Sequence, residues 1–244
     1  MEKQIFGLLG KNIAYSFSRN YFNQKFERDN INAQYVNFDV TNISQLSDVL
    51  KTKNLRGLNV TIPYKQAVIP FLDDLSNDAK TIGAVNTIEV ADGKHIGHNT
   101  DHIGFRDSIK PLLKPHHQKA LILGTGGASK AVAFALDSLG IGYKFVSRQK
   151  VNDTLLYRQL DPEILSEHTV IINCTPIGTS PEIDRAPEIP FQHLGKSHLL
   201  YDLIYNPGKT RFLQRGETAG ATIINGYEML VGQAEASWKI WNNL

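Results

Sequence analysis

The segment Leu121-Ile122-Leu123-Gly124-Thr125-Gly126-Gly127-Ala128-Ser129 constrains this chain more than any other. An apolar run of strand length passes into glycines and then into a helix-forming stretch, Ala128 to Leu139, stopped by Gly140. That order of strand, glycine turn and helix start is what a βαβ unit needs to hold a dinucleotide. Gly124 permits the tight turn, and Gly126 lets the backbone approach a pyrophosphate. The helix start then presents unpaired N–H groups to the phosphate charge. Ser129 stands where a third glycine is common, and it is small enough for close helix–strand packing. The bland alternative is a glycine-rich turn that only packs. The legible strand and helix on either side favour the binding role.

Cofactor choice is read at the end of the following strand. An NAD site expects an acidic residue there for the ribose 2′-hydroxyl, and an NADP site expects arginine. The sequence reads Val146-Ser147-Arg148-Gln149-Lys150, with two cations and no acid. Arg148 can stack on adenine and pair a 2′-phosphate bidentately, while Lys150 adds point charge. The residues therefore predict NADP. A solvated basic loop is the alternative.

Around this motif the chain of 244 residues alternates strand-like and helix-like pieces. Ile5–Leu9, Tyr35–Phe38 and Leu58–Ile62 read as strands, the last stopped by Pro63. Helices are expected from near Ser18, a good cap residue, with Phe22 and Phe26 on one face, and over Ile43–Leu50 after a cap at Thr41 or Asn42. Val85–Val90 and His95–His98 flank Asp92-Gly93, a hairpin turn. Beyond the prolines 111 and 115, strands are expected at Ala120–Leu123, Tyr143–Val146, Val170–Asn173, Leu199–Leu203 and Ala221–Ile224. Four prolines make residues 175–197 largely irregular, and 226–244 read as an amphipathic helix. The fold class is α/β with two domains. The N-terminal α/β substrate-binding domain covers residues 1–104 with the C-terminal helix 226–244. The Rossmann-like dinucleotide-binding domain covers residues 105–225.

Charge and cysteine content exclude several partners. The formal net charge is +2, with 26 basic and 24 acidic residues interspersed. That balance offers no electrostatic footprint for nucleic acid or membrane. The one cysteine, Cys174, permits no internal disulfide and fits a reducing compartment. No apolar stretch reaches the roughly 18 residues of a membrane span, and the N-terminus has no signal-like region. A cytoplasmic protein acting on a small molecule, as a monomer or homodimer, is expected. His95 and His98 lie an odd number of residues apart on a strand and face opposite sides, so no metal is expected.

Several polar motifs stand at strand ends or turns. Within Asn59-Val60-Thr61-Ile62-Pro63-Tyr64-Lys65, Asn59 and Thr61 share one strand face. Lys65 falls where a helix is expected to start, against the dipole, which suits a tuned proton donor. An exposed surface lysine is the alternative.

These motifs resemble the shikimate dehydrogenase family. The resemblance rests on Gly57–Lys65, Gly83–Ile88, Asn99–Asp101, Gly124–Ser129, Asn173–Gly178, Tyr201–Pro207 and Asn225–Ala234, in the family's order and across nearly the whole chain. It implies an oxidoreductase of aromatic amino-acid biosynthesis, in the chorismate pathway, that reduces 3-dehydroshikimate to shikimate reversibly with NADPH. Lys65 matches the catalytic lysine and Asp101 its partner carboxylate. Ser16, Ser18, Thr61, Asn86, Tyr205 and Gln233 match substrate-binding positions, and Asn59 lies beside them. Gly124, Thr125, Gly126, Gly127, Ala128, Ser147, Arg148, Lys150, Leu203 and Gly226 match cofactor contacts.

The sequence departs from the family at Tyr15, where histidine is usual, and at Arg19, where proline is usual. The family's Asn-Arg-Thr clamp reads Ser147-Arg148-Gln149, and Asn152 replaces a basic residue for which Lys150 is the substitute. Two further readings stay open. One is a quinate/shikimate relative with relaxed substrate or NAD use. The other is a dinucleotide-sensing module without turnover, which would not need the Lys65 and Asp101 pair.

Overall fold

The computed structural model describes residues 2–14, 16–151 and 153–243, so the expectations placed on Tyr15 and Asn152 fall outside the described residues. The chain forms two compact units, Met1–Thr100 with Ala234–Leu244, and Asp101–Gln233. No helix among the described residues is long and apolar enough to cross a membrane.

The first unit contains β1 (Gln4–Gly10), α1 (Phe17–Arg28), β2 (Ala33–Asp39), α2 (Leu46–Val49), β3 (Leu55–Val60), β4 (Asp74–Leu75), α3 (Asn77–Ile82), β5 (Thr87–Ala91) and β6 (Lys94–His98). They form one mixed sheet in the order β2-β1-β3-β5-β6-β4. β1 runs parallel to both β2 and β3, and the β5–β6 hairpin adds antiparallel strands. The hairpin turns at Asp92 and Gly93, both with positive φ, as the Asp-Gly pair predicts. Phe22 and Phe26 are buried on one face of α1, and Phe22 stacks on Tyr35 at 4.8 Å between ring centroids. The closing residues of the chain complete this core, where Trp238 and Trp241 pack on Phe6, Phe22 and Phe26.

Three local expectations shift. The hydroxyl that caps α1 belongs to Ser16, which accepts from Arg19 N at 3.3 Å, while Ser18 is buried inside the first turn. The helix expected over Ile43–Leu50 is a 3₁₀ turn, Ile43–Gln45, capped by Asn42, followed by the short α2. The third strand stops at Val60, two residues before its expected end, and Ile62 is exposed.

The second unit holds α4 (Asp101–Ile109), β7 (Lys119–Leu123), α5 (Gly127–Ser138), β8 (Gly142–Ser147), β9 (Leu155–Leu156), α6 (Pro162–Glu167), β10 (Val170–Asn173), β11 (Leu199–Asp202), α7 (Arg211–Thr218), β12 (Thr222–Ile224) and the start of α8 (Tyr227–Trp241). Its sheet runs β12-β11-β10-β7-β8-β9 and is parallel throughout. Alternate residues of β7 feed opposite faces: Ala120 and Ile122 enter one core, Leu121 and Leu123 the other. A parallel sheet covered on both faces requires that continuous apolar run. The order is that of the doubly wound dinucleotide-binding sheet, reversing between β7 and β10. Residues 175–197 are irregular except for a 3₁₀ turn at Phe191–His193.

Candidate active site

In open α/β sheets, ligands bind outside the carboxyl ends of the strands where the winding reverses. In the first unit that place lies between β1 and β3, since the chain passes from β1 outward to β2 and returns to β3 on the other side. After β1 come Ser16, the N-cap of α1, and Ser18, in that helix's first turn, and the loop after β3 carries Thr61 and Lys65. Backbone bonds join the two strand ends: Thr61 N donates to Leu9 O at 2.9 Å, and Lys11 N to Ile62 O at 3.3 Å.

Lys65 is half-buried and lies in a hydrogen-bonded turn, so the expected helix start at this residue is corrected. Its carbonyl accepts from Val85 N at 2.7 Å, which withdraws it from helical pairing. Pro70, lacking an N–H, cannot supply the next helical bond, to Gln66. Lys65 therefore does not stand at a helix N-terminus against a dipole.

Asn59 and Asn86 are each 2% exposed, within one buried polar network. The Tyr35 hydroxyl donates to Asn59 Oδ1 at 2.7 Å and is also bonded to the Ser18 hydroxyl. Burial holds the Tyr35 phenol well above its ordinary pKa. Asn59 Nδ2 donates to Ser237 Oγ at 2.9 Å, and Ser237 Oγ lies 2.7 Å from Thr87 Oγ1. Asn86 donates through Nδ2 to Thr100 Oγ1 at 2.9 Å and accepts from Thr100 N at 2.6 Å. Ser18, Asn59 and Asn86 are thus drawn together through Tyr35, Thr87, Thr100 and Ser237. Sequence reasoning gave none of those four an individual role, although Thr87 and Thr100 stand inside the motifs Gly83–Ile88 and Asn99–Asp101. Each reads as an ordinary strand, loop or helix residue, and only the tertiary pairing exposes its role. His95 and His98 face different acids, Asp73 at 3.3 Å and Glu89 at 3.1 Å.

In the second unit the reversal between β7 and β10 puts the glycine turn at the binding position. Gly124 adopts φ +105°, open to glycine and strained for other residues, and its N–H donates to Val146 O at 2.9 Å. Thr125 and Gly126 are exposed, and a side chain at Gly126 would meet open space. Gly126 is the N-cap of α5, and no side chain caps that helix. The N-terminus of a twelve-residue helix therefore faces room beside a glycine turn, which fits a pyrophosphate. Gly127 and Ala128 begin the helix, and Ser129 is fully buried, as its packing role predicts.

Ser147 ends β8, its hydroxyl turned onto the Gln149 carbonyl and 3.3 Å from Thr154 Oγ1. Arg148 and Lys150 are exposed in the loop that follows, as a 2′-phosphate would require. Leu203 N donates to Asn173 O, and Gly226 N to Ile204 O, so Leu203 and Gly226 border the same strand ends. A Cβ at Gly226 would run into the Leu203 carbonyl. Tyr205 is partly exposed in this loop. Asp101 opens α4 and is 5% exposed, and Gln233, on α8, is 7% exposed with Nε2 donating to Leu230 O.

Asp202, at the end of β11, was assigned no role by the sequence reading and is fully buried. Burial pushes its carboxyl up to about 6, against the pull of bonds from Thr210, Ile204 N and Asn173. The signal available in the sequence was an acid ending an otherwise apolar central strand.

Comparison with known proteins agrees with this geometry. The family model described as the shikimate dehydrogenase substrate binding domain matches residues 8–88. A shikimate dehydrogenase (NADP(+)) of Desulforamulus reducens is 35% identical over 260 residues, spanning 98% of this chain and 89% of the relative. Among solved structures, the shikimate dehydrogenase of Aquifex aeolicus superposes with a TM-score of 0.89 at 32% identity, covering 99% of this chain and 93% of that one. Shikimate 5-dehydrogenase of Thermus thermophilus, in complex with NADP(H) and shikimate, gives a TM-score of 0.87 at 29% identity, covering 99% and 94%.

Proposed function

The chain belongs to the shikimate dehydrogenase family, and from that premise we infer that it catalyses the reversible reduction of 3-dehydroshikimate to shikimate with NADPH. The observation that carries this reading is the pairing, in one chain, of an uncapped helix N-terminus behind a glycine turn with a polar Ser/Thr/Asn set at the other unit's switch point. The exposed Arg148 and Lys150, with no acid at the end of β8, support NADP over NAD. A quinate-oxidising or purely sensing role has no observation in its favour.

Reducing a ketone places a hydride on carbon and a proton on oxygen. When bound, NADPH supplies the hydride. The chain's own residues supply the rest. Gly124–Ala128 and the start of α5 hold the pyrophosphate, and Ser147, Arg148 and Lys150 hold the adenosine 2′-phosphate. Leu203 and Gly226 border the remainder of the dinucleotide. Ser16 and Ser18 bond the substrate carboxylate. Thr61, Asn86, Tyr205 and Gln233 bond its ring hydroxyls, and Asn59 supports them. Lys65 hydrogen-bonds the carbonyl oxygen and delivers the proton as negative charge develops there. Asp101 completes the proton chemistry with Lys65. Apart from Tyr205 and Gly226, these assignments give residues 1–104 with 226–244 the substrate role and residues 105–225 the cofactor role.

The test is Lys65→Ala against the unsubstituted protein. It should lower kcat by orders of magnitude while the KM for shikimate changes only modestly. A variant with kcat within about twofold would remove Lys65 from the reaction.

A further inference from the structure

We infer that Asp202 is a positioning residue for the dinucleotide site, its carboxylate fixing two strand-end loops and, through Asn173 and Thr175, the glycine turn. The inference rests on the cofactor reading above and adds a residue to it. Leu123, Asn173 and Asp202 stand side by side in register at the carboxyl ends of β7, β10 and β11. All three are fully buried. Three donors converge on the Asp202 carboxylate. Asn173 Nδ2 and Ile204 N reach Oδ1 at 3.0 and 3.1 Å, and the Thr210 hydroxyl reaches Oδ2 at 2.5 Å. Thr210 is in turn the N-cap of α7. One carboxylate therefore fixes the loop of Leu203 and Tyr205 at both of its ends.

The second arm runs the other way. With Nδ2 turned to Asp202, Asn173 Oδ1 accepts from Thr175 N at 3.0 Å and from its hydroxyl at 2.6 Å. That bond sets Thr175 against the glycine turn, where its methyl would lie 3.1 Å from a Cβ on Gly124. Cys174 N is meanwhile held by Leu123 O at 2.9 Å. The turn, the loop after β10 and the loop after β11 are thus tied to one acid that touches no solvent.

An ionised carboxylate satisfies this arrangement with no partner having to reverse its bond. All three partners donate, and they address both oxygens. An ionised carboxylate accepts on both, whereas an amide presents an N–H to one of the two sides. A buried donor facing another donor loses its bond and holds its loop less firmly. An apolar residue here would leave all three buried donors without an acceptor.

The test measures NADP⁺ affinity by equilibrium titration, with thermal unfolding of the same samples. Asp202→Asn should weaken NADP⁺ binding about tenfold while the unfolding temperature stays within a few degrees. The amide loses one bond but relieves a buried charge. Thr210→Val should weaken binding in the same direction, and Thr210→Ser, which restores the hydroxyl, should return it to the unsubstituted value. Affinities within twofold of the unsubstituted protein in both Asp202→Asn and Thr210→Val would overturn the proposal. Should neither variant fold, amide exchange at Thr175 and Ile204 decides. Protection well above loop rates is expected, and exchange at loop rates would overturn it. Failure of the unsubstituted protein to bind NADP⁺ would instead refute the cofactor reading, so the two failures are distinct.

Discussion

Replacing Tyr35 by phenylalanine removes one buried hydroxyl and leaves the packing of the ring on Phe22 intact. The hydroxyl is the donor to Asn59 Oδ1, at 2.7 Å, and it also meets the Ser18 hydroxyl. Asn59 is 2% exposed, so water cannot replace the lost donor. The expected cost is that of one buried, unsatisfied amide oxygen, about 2 kcal/mol within a range of roughly 1–3 kcal/mol. For a chain of this length, each kcal/mol moves the unfolding temperature by roughly 2–4 °C, so Tyr35→Phe should unfold about 4–8 °C earlier. Because the same hydroxyl orients Ser18, the KM for shikimate should rise several-fold while the KM for NADP⁺ stays unchanged. Calorimetry and steady-state kinetics on one preparation check both effects. An unfolding temperature within 1 °C of the parent would refute the claim that this bond is shielded from water. Equal rises in both KM values would refute its link to the substrate side.

Arg148→Ala should raise the KM for NADP⁺ much more than that for NAD⁺, and equal effects would remove its 2′-phosphate role. Gly226→Ala drives a methyl into the Leu203 carbonyl. It should cost roughly 1–3 kcal/mol and weaken NADP⁺ binding, whereas an unshifted melt with unchanged affinity would contradict the close approach. Asp202 sets a pH dependence with a definite sign. Its carboxyl rises from 3.8 to about 6 on folding, so the native state holds the proton more tightly and this group's contribution is lost as pH rises through that window. The loss amounts to about 3 kcal/mol. Urea unfolding of the parent and of Asp202→Asn across that window should therefore diverge by that order in favour of the variant, and parallel curves would contradict it.

Local chemistry made much of this architecture legible. Leu121–Leu123 followed by three glycines specified β7, the turn and α5, because an apolar run and φ freedom are properties of the residues themselves. Asp92-Gly93 fixed the hairpin for the same reason. Short helices such as Pro162–Glu167 and Arg211–Thr218 escaped notice, since so few turns carry little periodicity and their caps, Asp161 and Thr210, look like loop residues. Lys65 was placed on a helix that does not form, because its carbonyl is claimed by Val85, twenty residues further along the chain. The residues behind the site were hidden for a related reason. Tyr35, Ser237 and Asp202 act through partners remote in sequence, and nothing local marks a tyrosine hydroxyl as a donor to a buried asparagine.

The central claim, that this chain interconverts 3-dehydroshikimate and shikimate, is tested most directly by mixing the purified chain with shikimate and NADP⁺ and following NADPH absorbance. The account predicts shikimate-dependent NADPH formation, slower with NAD⁺ and slower with quinate. No shikimate-dependent signal with either nucleotide would contradict it.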